Sequence, residues 1–263
     1  MGRKQPQPED ITLQEFQDAL GRYEALIGRV SDSKGAKAGQ KTLAELDKYR
    51  YEEAVQIFGS GDPKRLMGID EVKTLVEWKL RHGKFRPTLM KLVSSNDTTA
   101  VKDTIQEAVG LYKKTADTAA ALNVLTKLKG IGPATASLLL AVHDPERVAF
   151  FADEAFYWLC SGGRKSPIKY NAKEYQALHE ETQKLRDRLG VRAVDVERVT
   201  YVILNERGEE SPARVEDSKS RAAEEPGAKT SKQPVAKRKK EPVEETKEAV
   251  TSARRSKRTK RSS

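Results

Sequence analysis

An all-α fold is predicted by three features of the sequence. Apolar residues recur at helical spacing through residues 9–207, no stretch there alternates as a half-buried strand would, and helix-start signals precede the periodic runs. Residues 1–8 read as a flexible lead. Thr12-x-x-Glu15 and Thr42-x-x-Glu45 are capping boxes, each opening an amphipathic run, with residues 31–41 as a flexible loop between the two helices. Further helices are predicted at about 69–82, 86–95, 98–114, 117–128, 133–143, 153–161, 172–189 and 195–206.

The periodicity stops near residue 208. From Glu209 to Ser263 there is no aromatic residue and no Leu, Ile or Met, while Ser, Pro, Lys, Arg and Glu dominate. Such a stretch buries too little apolar surface to offset the entropy of ordering, so 208–263 is predicted to be a disordered tail. Its 16 basic and 10 acidic residues carry most of the chain's net charge of +10. The basic residues cluster at Lys237, Arg238, Lys239 and Lys240, and again from Arg254, Arg255, Lys257 and Arg258 to Arg261. Clusters of this kind suit nuclear import receptors or a polyanion, and a solubilising tail is the plainer reading.

Charge and cysteine content narrow the function classes. A pI near 9.5 favours a polyanionic partner, because neutralising phosphates releases counterions. The single cysteine, Cys160, excludes an internal disulfide and a cysteine-held zinc or iron–sulfur centre, and it reads as a core thiol. His82, His143 and His179 show no metal-ligand spacing, so no metal is expected. No run of 18 apolar residues and no apolar signal core occurs, and an intracellular, soluble protein without membrane contact is expected.

The most informative stretch is 122–143. Leu122, Leu125 and Leu128 stripe one helix; Lys129-Gly130-Ile131-Gly132-Pro133 follows; a second helix carries Thr135, Ala136, Leu139 and Leu140. Two glycines around one aliphatic residue make a tight turn that Ile131 anchors and that brings backbone close to an external group. Pro133 suits the first helical turn, Ala136 lets the helices cross closely, and the amides at Ala134 and Thr135 form a phosphate site. A plain helix–turn–helix linker is the alternative.

Residues 125–136 resemble the helix-hairpin-helix motif of the HhH-GPD DNA glycosylase superfamily, with the common form Leu-x-x-Leu-Pro-Gly-Ile-Gly-x-x-x-Ala. Only Lys129, where proline is frequent, departs from it. The resemblance covers about 69–206. It implies a helical glycosylase-like domain whose hairpin holds a DNA backbone without reading sequence. It also implies a monovalent cation at the Thr126, Leu128 and Ile131 carbonyls. The superfamily's essential aspartate falls on Asp153, after the loop 143–152, where it would stabilise a cationic sugar or orient water. Asp153 also reads as an ordinary helix N-cap.

Two departures qualify the resemblance. The lysine nucleophile of bifunctional members stands two residues past the second glycine; here that residue is Ala134, so a Schiff-base lyase mechanism is not expected. The Val-Asp-Thr-His-Val segment is replaced by Ala152-Asp153-Glu154-Ala155-Phe156. A water-using, monofunctional enzyme is therefore one expectation, and a DNA-, chromatin- or protein-binding module without chemistry is the other. Base flipping would need aromatic side chains, and Phe150, Phe151, Tyr157 and Trp158 are the candidates, with core packing the better role for at least two.

Residues 77–87 interleave Lys79, Arg81, Lys84 and Arg86 with Trp78 and Phe85, a pattern for phosphate contact with base stacking. An amphipathic helix stopping at Gly83, with Trp78 in the core, accounts for it equally. This segment, with the hairpin and Asp153, resembles more loosely the Amun group, nuclear proteins of animals and fungi described with a glycosylase domain. The expected function is thus nuclear DNA binding, with base excision chemistry where Asp153 is active.

Overall fold

Local signals set most of the helix boundaries. The computed structural model describes residues 6–59 and 63–210, all of one packed unit; the remainder of the predicted tail, with both basic clusters, lies outside the described residues. Among the described residues the fold is all-α, with no strand. Its helices are α1 (Leu13–Gly21), α2 (Tyr23–Lys34), α3 (Leu43–Lys48), a π-helical turn (Tyr49–Glu53) and α4 (Ala54–Phe58). Then follow α5 (Ile69–His82), α6 (Leu89–Ser94), α7 (Thr98–Thr115) and α8 (Thr118–Leu125). The last four are α9 (Pro133–His143), α10 (Asp153–Cys160), α11 (Ala172–Leu189) and α12 (Ala193–Glu210). No helix among the described residues is long and apolar enough to cross a membrane.

Both capping boxes form. Thr12 Oγ1 accepts from the Glu15 amide at 3.2 Å while Glu15 Oε2 accepts from the Thr12 amide at 2.9 Å, and Thr42 and Glu45 repeat the pattern. Each such cap contributes about 1 kcal/mol. Three expectations need correction. Residues 6–8 are not a loose lead: the Trp158 indole donates to Pro6 O at 2.9 Å, and Arg188 donates to Pro8 O at 2.6 Å. The loop after α2 is shorter than 31–41, because Ser31 stays helical and buried, its Oγ accepting from the Ala44 amide at 3.0 Å. At the other end α12 reaches Glu210, beyond the predicted start of the tail.

α9 forms the centre. Every residue from Ala134 to His143 is buried, as a helix apolar on all sides requires, and α4, α5, α8 and α11 pack around it. α12 packs against α1, α2, α10 and α11. Cys160 sits at the edge of the core, half-buried rather than enclosed, and burial pushes its thiol up to about 11.

A polar cluster is sealed between α3, α5, α12 and the π-helical turn. Asp47 Oδ1 accepts from Tyr23 Oη at 2.9 Å and from Trp78 Nε1 at 2.8 Å. Tyr51 Oη donates to Glu197 at 2.6 Å, and Arg50, with no exposed surface, pairs with the same carboxylate at 3.3 Å. Burial raises Asp47 to about 6 and pushes Glu197 up too. His82 stacks on Trp78, with ring centroids 4.6 Å apart, and burial first, then Lys34 and Arg50, hold it down to about 3.

Candidate functional site

The hairpin turn is fixed from both sides. After α8, Lys127 and Leu128 extend the coil with amides returning to Val124 O and Leu125 O, and the Ile131 amide closes on Leu128 O at 3.2 Å. Ile131 is buried and anchors the turn. Gly130 adopts φ +77°, and a Cβ there would meet Leu92 Cβ at 3.0 Å and Val93 N at 3.1 Å in α6, so glycine is required by both conformation and packing. Asn96, just past α6, holds Lys129: its Oδ1 accepts from the Lys129 amide at 2.8 Å and its Nδ2 donates to the Lys129 carbonyl at 2.9 Å. α6 thus acts as a brace.

Gly132 behaves differently. It is the N-cap of α9, with extended backbone, an exposed surface and no atom within 4 Å of where a Cβ would stand. Pro133 begins the helix and needs no acceptor. Among the described residues the amides of Gly130, Gly132 and Ala134 donate to no protein group. Unmatched amides at the start of a buried helix attract an anion through both hydrogen bonds and dipole.

These amides edge a cleft of about 490 Å³, within the size of small-ligand sites. Gly130, Gly132 and residues 133–135 form one part of its lining; Asp153 and Tyr170 form another. Phe150 and Phe151 give it an apolar patch, while Lys79, Lys84 and Arg86 bring positive charge. Trp78 and His82 form the wall shared with the sealed Asp47 cluster.

Asp153 begins α10, but it does not cap it. Ala152 is the N-cap, no side chain bonds to the first-turn amides, and both Asp153 oxygens accept from Tyr170 Oη, at 2.8 and 2.9 Å. The N-cap expectation is corrected: the carboxylate turns into the cleft because the tyrosine offers it a donor there. Tyr170 holds φ +54°, rare for a side-chain-bearing residue, and the Arg86 guanidinium lies 5.1 Å over its ring. Burial, then the bond to Asp153, push the phenol well above its ordinary range, so it stays a donor. Lys79 is half-buried in the lining; burial, then the Arg86 charge, lower it to about 8, with Asp153 opposing.

The remaining expected residues divide. Lys84 and Arg86 are exposed and line the cleft; Lys129 is exposed beside the hairpin, outside the lining. Arg81 is not brought to the cleft: its guanidinium donates to Gly35 O at 2.7 Å and to Lys41 O, which ties down the loop after α2. Of the four aromatics, Phe150 and Phe151 line the cleft from within the buried core, Trp158 is wholly core, and Tyr157 is half-buried outside the lining. Tyr170, Asn96 and the half-buried acid Glu154, whose carboxyl is pushed up by desolvation, were not read from the sequence as site residues. Asn171 caps α11 through the Glu174 amide, and that helix-start signal bounds the loop carrying Tyr170. Comparison of the chain with protein-family models, with curated proteins and with solved structures finds no match.

Proposed function

We propose that the chain is a nuclear DNA-binding protein built as a helix-hairpin-helix glycosylase, which grips a duplex by residues 130–135 and cleaves an N-glycosidic bond beside Asp153. One observation carries the reading: the unmatched hairpin amides and the Asp153 carboxylate border a single open cleft. A backbone phosphate on the amides would set a flipped nucleotide over Phe150 and Phe151, with its sugar toward Asp153. As the bond from C1′ to the base breaks, the carboxylate offsets charge on the sugar and orients the water whose oxygen adds to C1′. Tyr170 fixes that carboxylate through both oxygens.

The cation implied by the resemblance fits the turn. The Thr126 and Ile131 carbonyls accept no hydrogen bond among the described residues, and Leu128 O accepts from the Ile131 amide. Such neutral oxygen donors would hold a hard monovalent cation, which would supply positive charge for a phosphate at the turn. The basic clusters at 237–240 and 254–258 belong to the same proposal as import signals for nuclear receptors.

A second reading is favoured by the occupation of both Asp153 oxygens by Tyr170: a duplex-binding module without chemistry. A panel of duplexes, each with one damaged or mismatched base, separates the two when wild type is compared with Asp153→Asn. The enzyme reading expects base release that falls about a hundredfold or more in the variant. Duplex binding that weakens steeply with salt, with no base released from any substrate, leaves the binding module. Absence of duplex binding removes both.

A further inference from the structure

The helix that begins at the hairpin ends at a second hollow. His143 closes α9, about 16 Å along the axis from Gly132, so the two sites lie at opposite ends of one buried helix. There the segment before α5 and one face of α7 enclose a pocket of about 180 Å³. That is room for one side chain, less than most small-molecule sites offer. Met67, Ile105 and His143 are its buried lining, while Leu66, Lys102 and Lys113 stand exposed around it. Leu66 is one of the few large apolar side chains left in solvent. Among the described residues no carboxylate lines the pocket, since Asp103 and Glu107 of α7 line a neighbouring hollow instead. Lys102 and Lys113 make no hydrogen bond or ion pair among the described residues.

The bonding of His143 limits what can enter. The ring is 7 % exposed, and its Nδ1 lies 2.8 Å from the Leu139 carbonyl, which can only accept, so Nδ1 carries the proton. Burial lowers the ring to about 4 against the pull of that bond, and the Lys113 charge adds to burial. Nε2 of the neutral ring is therefore a lone pair. It has no partner among the described residues, and it is not one of the atoms sealed from solvent. An unmatched acceptor in an apolar pocket is best satisfied by a donor carried on an apolar body. Gly110 supports the same conclusion. Glycine weakens a helix interior, yet Gly110 stands in the middle of α7 with no atom within 4 Å of where a Cβ would be. Packing does not require it, and its missing side chain leaves the pocket it lines open.

We infer that this pocket binds a tyrosine side chain presented by an acidic peptide segment of a partner protein, the phenol donating to His143 Nε2 and flanking carboxylates meeting Lys102 and Lys113. The ring would lie against Met67 and Ile105, and an apolar neighbour in the peptide would cover Leu66. A phosphorylated tyrosine brings negative charge to a lone pair and is excluded. The inference does not depend on the duplex-binding reading, and the distance along α9 lets both partners be held together.

The test uses the full chain and a fluorescein-labelled peptide, Glu-Glu-Leu-Tyr-Glu-Glu, followed by fluorescence anisotropy at physiological salt. The basic tail attracts any acidic peptide, so the comparisons hold its charge constant. Exchanging the peptide's tyrosine for phenylalanine is expected to weaken binding about tenfold, because Nε2 loses its donor. Gly110→Leu, which fills the pocket without changing charge, is expected to weaken it about tenfold as well, with a melting temperature no lower than wild type. Exchanging Lys102 and Lys113 together for Gln, both exposed, is expected to cost a similar factor of about ten. No binding, equal affinity for the tyrosine and phenylalanine peptides, or equal affinity for the phosphorylated peptide overturns the inference whatever the variants do. Unchanged binding by a folded Gly110→Leu protein overturns the pocket as the site. Free 4-hydroxyphenylacetate binding more tightly than the peptide overturns the partner protein in favour of a small phenolic acid.

Discussion

The Asp47 cluster and the Asp153 cleft are built from the same parts, and they share the Trp78–His82 wall of α5. Each has a carboxylate held by a tyrosine hydroxyl, aromatic rings close by and an arginine over a ring: Arg50 over Tyr51 at 4.9 Å, Arg86 over Tyr170 at 5.1 Å. The sealed cluster holds the stronger set of displaced acids and bases, with Asp47 near 6, His82 near 3, and Glu197 and Tyr51 raised. Displaced proton affinity is therefore no marker of a site in itself. In the cluster both carboxylates are bonded by protein donors and are 6 % and 4 % exposed, while Arg50 keeps Nε and Nη1 buried without a hydrogen-bond partner. In the cleft the hairpin amides and the Lys79 amine are unmatched and face open space. What sets the cleft apart from the cluster is that its unmet bonding capacity lies in groups that line open space.

The largest effect that sharpens this contrast is expected at Glu197. Replacing it with Leu leaves Arg50 charged and buried without its carboxylate partner, at a cost of about 3–5 kcal/mol. Asp153→Asn, by comparison, is expected to cost under about 1 kcal/mol, because its surroundings are partly open. Urea unfolding of both variants measures the difference. A Glu197→Leu protein as stable as wild type would erase the distinction between the two regions.

Next in size is a dependence on pH carried by His82. Its folded-state affinity for protons lies far below that of an ordinary histidine, near 3 against 6.5. Below pH 6.5 the unfolded chain takes up a proton that the folded chain refuses, so stability is full above 6.5 and is lost as pH falls toward 3. His82→Phe keeps the stacked ring and removes the titration. Between pH 7 and pH 4 wild type is expected to lose about 3 kcal/mol more than the variant. Parallel unfolding curves at the two pH values check it, and equal losses would show that His82 is hydrated.

The same contrast explains what could be read in advance. The hairpin was legible because its determinants are local: the leucine stripe, two glycines around Ile131, and Pro133 opening a helix all lie within one short segment. The start of α10 at Asp153 was legible for the same reason. Asn96 and Tyr170 were not, because each acts on a residue 33 or 17 positions away through a contact that no periodicity announces. Arg50 was hidden more deeply. An arginine in a charged sequence reads as surface, and only the fold brings Glu197 to it from 147 residues downstream. The π-helical turn around it has no sequence signature that helical spacing would detect, so 49–58 went unread. Arg81 shows the opposite error: a basic–aromatic run mixes residues that the helix then sends to different sides.

The two hairpin glycines give the smallest and sharpest test, because they place the two kinds of region two residues apart. Gly130 belongs to the structural side. Alanine there must hold φ +77° and crowd Leu92 and Val93, an expected loss of about 2 kcal/mol, or roughly 4–8 °C in Tm. Gly132 belongs to the accessible side, with φ −90° open to any residue and free space around it. Gly132→Leu is expected to change stability by less than about 0.5 kcal/mol while lowering duplex affinity about tenfold, since its side chain stands where a phosphate would approach the amides. Thermal melts and salt titrations of binding on both variants separate the effects. If Gly132→Leu binds DNA as wild type does, the hairpin amides are not the contact, and the open side of the molecule has been drawn around the wrong edge of the cleft.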